Sequence, residues 1–317
     1  MNETYLGIEI GGTKLQLAVA GREGPVQETL RYRVDAGAGA EGIRRQLGEG
    51  LDRLLAAYPV TGIGAGFGGP VDSATGAIRV SHQVKGWSGF PLAAWLQERT
   101  GLPVAVDNDA NTAALAEALR GAGKGFARVF YMTIGSGIGG GLVLNGSVYH
   151  GRAPGEVEVG HLRLNKEGET LESRCSGWAV NEKVLAAMAA EPGGVLAGLR
   201  NDTDNPPSAL LPAALAGGDA AARRIVETLT DDLAFGLSHV VHLLHPDILI
   251  LGGGLSLLGE TLRGPVAARL EDFLMDAFRP APPLSLSALG EAVVPLGAIE
   301  LARSAEAALQ PLKRNSL

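Results

Sequence analysis

A single cysteine, Cys175, gives this 317-residue chain no means of forming an internal disulfide, which excludes the stapled secreted scaffolds and fits a reducing compartment. Charge is also scarce. Only 19% of residues are charged, and the formal balance of −7 has the wrong sign for general attraction to nucleic acid or an anionic membrane, so neither is an expected partner. No apolar run reaches bilayer-spanning length; the candidate at 248–251 is cut short by Gly252, Gly253 and Gly254. The chain passes from Met1, Asn2, Glu3 and Thr4 straight into an apolar strand, with neither a basic start nor a signal-peptide core. A cytoplasmic globular protein is expected.

What is abundant is glycine. The 46 glycines do not spread as a linker would; they gather at the ends of apolar, strand-like runs. Gly11 and Gly12 form one group, Gly66, Gly68 and Gly69 a second, Gly135, Gly137, Gly139, Gly140 and Gly141 a third, and Gly252 to Gly254 the last. Glycine at a strand end lets the backbone take positive φ and come close to a ligand. A 46% hydrophobic chain of this length implies two domains rather than one core.

Periodicity places the elements. Strands are expected at 5–10, 15–20 and 26–34, with a tight turn at 11–14. A helix is expected at 41–58, where Ile43, Leu47, Leu51, Leu54 and Leu55 recur on one side. A buried strand at 62–67, a helix at 92–99, a strand at 104–106 and a helix at 111–120 follow. The pattern then restarts. VFYMTIGSGIGGGLVLNG set beside YLGIEIGGTKLQLAVAG gives strand, Ile-Gly, small polar residues, strand, and Asn145 with Gly146 adds a hairpin signal. A long amphipathic helix at 221–244 is stopped by Pro246, a strand at 248–251 runs into the triple glycine, and 266–278 and 298–308 read as helices. Residues 201–207 read as a surface loop.

Two matched glycine hairpins suggest two phosphate grips, because successive backbone N–H groups in a turn make an anion-binding nest. Thr13 and Ser136 can add hydroxyls and Lys14 a positive charge; the alternative is a pair of plain β-turns. Asp107, Asn108, Asp109 and Asn111 lie where a strand hands over to a helix. Any of these can be a helix cap. A carboxylate there can equally serve as a base, held ionised by the helix dipole. Composition does not choose between the two. Glu156, Glu158 and His161, with Glu172 further on, form either a charged surface loop or a set of rigid partners for sugar hydroxyls. His239, His242 and His245 recur every three residues, but on a helix the third leaves the face of the first two and no further ligands accompany them, so no metal is assigned. Trp87, Trp95 and Trp178 read as packing residues.

Taken together, the segments IEIGGTK (8–14), GFGGPVD (66–72), VDNDANTAALAEA (106–118), TIGSGIGGGLVLNG (133–146), VEVGH (157–161), LESRCSGWAV (171–180) and HPDILILGGG (245–254) resemble the ROK (repressor, ORF, kinase) sugar kinases of the actin/hexokinase superfamily. The resemblance spans nearly the whole chain. It implies an α/β protein of two actin-like, ribonuclease H-like lobes with a nucleotide and sugar cleft between them. The lobes are expected at 1–117 with 298–317, and at 118–297. Carried over by position, it implies that Gly11, Gly12, Thr13 and Lys14 form the first phosphate loop, Gly135, Ser136 and Gly137 the second, and that Gly253 and Gly254 border the adenosine pocket. Asp109 would be the catalytic base, with Asn108 and Gly69 beside the sugar and Glu158, His161 and Glu172 on its hydroxyls. ATP and Mg2+ are the implied cofactors, and a homodimer is the family habit. Glucose is the first expectation for the substrate, ahead of fructose and N-acetylmannosamine.

Three departures stand out. Glu9 replaces the usual Asp, Gly68 the usual Pro, and the family's C-x-C-G-x-x-G-C zinc loop is missing, since 165–170 is too short and the only nearby thiol is Cys175. Structural zinc is therefore not expected. Two further classes are weighed against the kinase. A sugar-responsive repressor needs a recognition helix before the first glycine strand, and only about four residues are seen there. A non-catalytic sugar-binding regulator would have no use for Asp109 and both phosphate loops.

Overall fold

The computed structural model describes residues 3–22, 24–81, 84–153, 155, 157–199 and 205–314, with side chains described as far as 305. Of the expected loop at 201–207, residues 201–204 lie outside that range, as does Glu156.

The chain opens with a buried hairpin. β1 (Thr4–Ile10) is covered along its whole length, turns through Gly11–Lys14 and returns as β2 (Lys14–Gly21); β3 (Val26–Arg33) completes an antiparallel meander. α1 (Gly39–Ala57) sets Ile43, Leu47, Leu51 and Leu54 at helical spacing into a core shared with Leu6, Ile8 and Ile10. β4 (Val60–Phe67) then pairs parallel with β1. After the small hairpin of β5 (Val71–Asp72) and β6 (Ala77–Ile78), and after α2 (Leu92–Thr100), β7 (Val104–Asn108) pairs parallel with β4. The sheet order is β3-β2-β1-β4-β7.

Register, more than strand order, brings residues together here. Ile10 pairs with Phe67, and Phe67 with Asn108, so β1, β4 and β7 finish at one level. Their continuations are therefore delivered to one edge: the turn at 11–14, Gly68 with Gly69, and α3 (Asp109–Arg120).

Because strand side chains alternate, Tyr5 and Gly7 of β1 point away from Leu6 and Ile8. That second face is covered by α10 (Val293–Arg314), whose Ile299 and Ala302 pack on Tyr5. The helix lies so close that a side chain on Gly64 would run into the Ala298 carbonyl, and one on Gly297 into that of Thr112 on α3.

The second sheet repeats the theme. β8 (Arg128–Ile134) passes through Gly135, Ser136 and Gly137 into β9 (Ile138–Leu144), and a short β10 (Ser147–Val148) pairs antiparallel with β9. Between them and the next strand lie α4 (Leu171–Cys175), α5 (Gly177–Ala190), α6 (Val195–Gly198), α7 (Leu211–Ala216) and α8 (Ala220–Leu244). Asp219 caps α8 by accepting from the Ala222 N–H, and His245 ends it at φ 48°. β11 (Ile248–Gly252) pairs parallel with β8; after α9 (Glu260–Phe273), β12 (Leu284–Leu286) pairs parallel with β11. The order is β10-β9-β8-β11-β12.

Several details differ from the sequence reading, among them Trp178, expected as a packing residue but 62% exposed at the start of α5. The helix expected at 266–278 begins at Glu260, tolerates Pro265 within it, and stops at Phe273, where Leu274 turns extended. Contacts divide the chain into one unit of Met1–Gly121, Gly141–Val157 and Glu291–Leu317, and another of Ala122–Gly140 and Glu158–Gly290. Residues 141–157, expected with the middle of the chain, thus belong with the N-terminal part. The reason is local: Gly141 lies against Ala110, Asn111 and Ala114 of α3, where a Cβ would stand 2.7 Å from that of Ala114, and His150 bonds to Asp107.

Candidate active site

In the first unit, the level ends of β1, β4 and β7 gather the expected residues. The Gly11 N–H donates to the Lys14 carbonyl at 3.0 Å, closing the first glycine turn, and the Gly68 N–H donates to the Ile10 carbonyl at 2.9 Å. Glu9 is 8% exposed. Its carboxylate lies 3.1 Å from Lys14 Nζ and accepts from Gln16 Nε2 at 2.7 Å, Gln16 being its direct partner across the hairpin. Burial pushes the Glu9 carboxyl above its usual range, against the pull of Lys14.

The helix junction settles which residue is the cap. Asn108 Oδ1 accepts from the Ala110 and Asn111 N–H groups at 2.8 and 3.3 Å, and Asn108 Nδ2 donates to the Gly69 carbonyl at 3.2 Å. Asp109 is the first helical residue, so its carboxylate is not the cap. It is half-buried and lies beside Gly68, where a Cβ would stand 3.4 Å from Asp109 Oδ2. Burial foremost, then the nearby negative charge of Glu9, pushes the Asp109 carboxyl up to about 7; the first N–H groups of the helix and Lys14 pull the other way. A carboxyl with its pKa raised toward neutral and no capping role suits proton abstraction from a hydroxyl.

In the second unit, the Gly135 N–H donates to the Gly137 carbonyl at 2.9 Å, with Ser136 between them, and the Gly135 carbonyl accepts from the Gly177 N–H at 2.7 Å. Ser176 caps α5 beside this contact, so the start of α5 braces the second turn. Gly253 has φ 79°, and a Cβ there would lie 2.7 Å from the Ile134 main chain, so only glycine lets β11 leave beside β8; Gly254 next to it faces open space.

Ile138 anchors the expected sugar residues. Its N–H donates to Glu172 Oε2 at 2.7 Å, and its carbonyl closes on Gly160 so tightly that a side chain there would clash. Gly160 lies in the single 3-10 turn Val159–His161, which presents His161 and Glu158 to solvent with His161 Nε2 4.0 Å from Glu158 Oε2. Glu158, His161 and Glu172 are therefore all tied to one backbone position.

Among the described residues, no three His, Cys, Asp or Glu side chains converge as a metal site. Cys175 is buried, its Sγ 4.0 Å from the Leu229 carbonyl, and burial pushes its thiol up to about 12. His239 and His242 of α8, and His245 just past its end, are packing groups. His239 stacks edge-on with Phe235, His242 and His245 lie against Phe278, and His242 Nε2 accepts from the Met275 N–H.

Sequence reasoning missed Gln16 and the link from Glu172 to Ile138. It also missed a cluster behind Asn108, in which the buried Asp107 bonds to the partly exposed His150 and to the buried Asn111. Only the pairing of Glu9 with Gln16 had a legible signal, through the hairpin register.

A model of the ROK family matches residues 5–305. A glucokinase from Halalkalibacterium halodurans is 30% identical over 302 residues, which is 90% of this chain and 91% of that protein. The crystal structure of a ROK family glucokinase from Streptomyces griseus, in complex with glucose and AMPPNP, superposes with a TM-score of 0.83 at 30% identity, covering 95% of this chain and 99% of that one. A ROK hexokinase from Thermus thermophilus superposes with a TM-score of 0.77 at 30% identity, over 96% and 99% of the two chains. Among the described residues, no helix is long and apolar enough to cross a membrane.

Proposed function

The chain belongs to the ROK family, and from that premise we propose that it transfers the γ-phosphoryl group of ATP to the primary hydroxyl of a hexose, glucose first, giving glucose 6-phosphate. The family's two-lobed, actin-like ATPase fold accounts for the two five-stranded sheets, and the enzyme is an ATP-dependent sugar kinase.

The observation that carries the assignment of roles is the junction of β7 and α3. Asn108 does the capping, which leaves the Asp109 carboxyl, raised to about 7, available for chemistry. In the proposed reaction Asp109 orients the sugar hydroxyl and takes its proton late, as the oxygen attacks phosphorus in line with the departing ADP. The backbone N–H groups of the turns at Gly11–Lys14 and Gly135–Gly137 are suited to the phosphates. Gly254, beside Gly253, leaves room for adenosine, while Asn108, Gly69, Glu158, His161 and Glu172 hold the sugar. Mg2+ bound with ATP supplies charge neutralisation. Glu9, whose carboxylate meets Lys14 at the first glycine turn, is the acidic group that would stand nearest a cation held mainly by the phosphates.

ATP consumption across glucose, fructose, mannose and N-acetylmannosamine tests this reading. The highest kcat/KM is expected on glucose; preference for fructose or N-acetylmannosamine would move the substrate while keeping the reaction. No turnover on any of them would overturn the kinase assignment.

A further inference from the structure

Behind the proposed base lies a group that the reaction does not use. Asp107, 2% exposed, has both carboxylate oxygens engaged. Oδ1 accepts from the Asn108 N–H at 2.8 Å and from Asn111 Nδ2 at 3.0 Å, and Oδ2 lies 2.6 Å from His150 Nε2. A carboxylate oxygen accepts, so His150 Nε2 carries the proton. Asn111 is fully buried one helical turn beyond Asp107, and Asn108 is held on its other side by Gly69. Asp107 thus bonds the main chain just before Asp109 and a side chain of the helix just after it.

The outlying member is His150, which arrives from 43 residues away in sequence, after β10. Gly155, at φ 84°, lies so close that a Cβ there would stand 2.7 Å from the His150 carbonyl.

We propose that the Asp107–His150 pair is a positioning device for phosphoryl transfer. By filling Asp107 Oδ2, His150 fixes the Asp107 carboxylate, which in turn fixes the Asn108 N–H and the Asn111 amide, and so the pitch at which α3 presents Asp109. Without the imidazole donor, a buried oxygen is left unpartnered, and the carboxylate rotates or draws in water. Asn108 and Asp109 shift with it. Small displacements of a reacting group are expensive: about 1 Å can lose 10²-fold in rate. The pair acts through Asn108 and Asp109, so this proposal rests on Asp109 being the base.

The test replaces His150 by Phe, which keeps the ring but removes the donor, and by Gln, whose amide nitrogen can reach the place of Nε2. Expected for His150→Phe is a kcat about 10–100-fold lower, with KM for sugar and ATP within about threefold of wild type. His150→Gln should recover most of the loss. A purely structural role would lower the melting temperature of both variants and leave kcat per folded enzyme alone. Should the Phe ring prevent folding, His150→Ala replaces it under the same criteria. Wild-type kcat in the donor-less variant, or a Gln variant as slow as it is at equal stability, overturns the proposal. Asp109→Asn assayed alongside separates the two ideas: a fast Asp109→Asn defeats the base assignment, whereas a slow Asp109→Asn with a fast His150→Phe defeats only the positioning role.

Discussion

Replacing Asp109 by Asn should slow the enzyme and stabilise it at the same time. Asn108 supplies the cap of α3, so the change leaves the two capping bonds in place, and a loss of helix stability is not expected. What disappears is the base, and kcat should fall by about 10²–10⁴-fold, the range for losing general-base assistance. The stability side follows from the carboxyl's own environment. Its value rises from an ordinary 3.8 to about 7, and a tenfold change in ionisation is worth about 1.4 kcal/mol, which sets a ceiling of about 4 kcal/mol on the strain of keeping it charged. Water reaches the half-buried group and screens it, so about 2 kcal/mol is the expected difference. The sign runs one way. Between pH 4 and 7 the unfolded chain releases this proton while the folded one keeps it, so wild-type stability declines as pH rises through that window. Asp109→Asn should match wild type near pH 4 and exceed it by about 2 kcal/mol at pH 8, measured by urea denaturation at both pH values. A variant with near-native kcat, or with the same stability difference at pH 4 and 8, would refute the reasoning.

Three further outcomes are expected from the same geometry. Glu9→Gln removes the negative charge that helps raise Asp109 and releases Lys14 from its ion pair, so the acid limb of kcat/KM, expected near pH 7 in wild type, should move to lower pH; an unmoved limb would mean another group titrates. Gly137→Ala places a Cβ 2.5 Å from Glu172 Oε2, which must push that carboxylate off the Ile138 N–H; KM for both ATP and sugar should rise, and a change in neither would separate Glu172 from the site. Metal analysis of protein purified without added zinc should find far less than one equivalent per chain, since Cys175 is buried against Leu229 while His161 is exposed; stoichiometric zinc would contradict this.

How much was legible in the sequence depended on how local the cause was. The hairpin of β1 and β2, the strand β11 and the long helix α8 follow from apolar periodicity and glycine punctuation, both short-range signals. The junction at 107–111 was visible as a place, but not as a division of labour. Asn and Asp cap equally well, and only the backbone decides that Asn108 is the cap while Asp109 is the first residue of the helix. α5 was missed because its sequence, GWAVNEKVLAAMAA, is apolar on most sides and shows no clean stripe. The bond from His150 to Asp107, and the shared anchor at Ile138, come from residues brought together only by the completed fold, and no spacing in the chain announces them.

The most direct measurement is of the product. Protein, ATP, Mg2+ and 13C-labelled glucose followed by 31P and 13C NMR should give ADP and a phosphomonoester on the primary carbon in equal amounts. The Asp109→Asn variant should form them at least about a hundredfold more slowly. Phosphate appearing free in solution without a sugar ester, or an equal rate from the variant, would contradict the account.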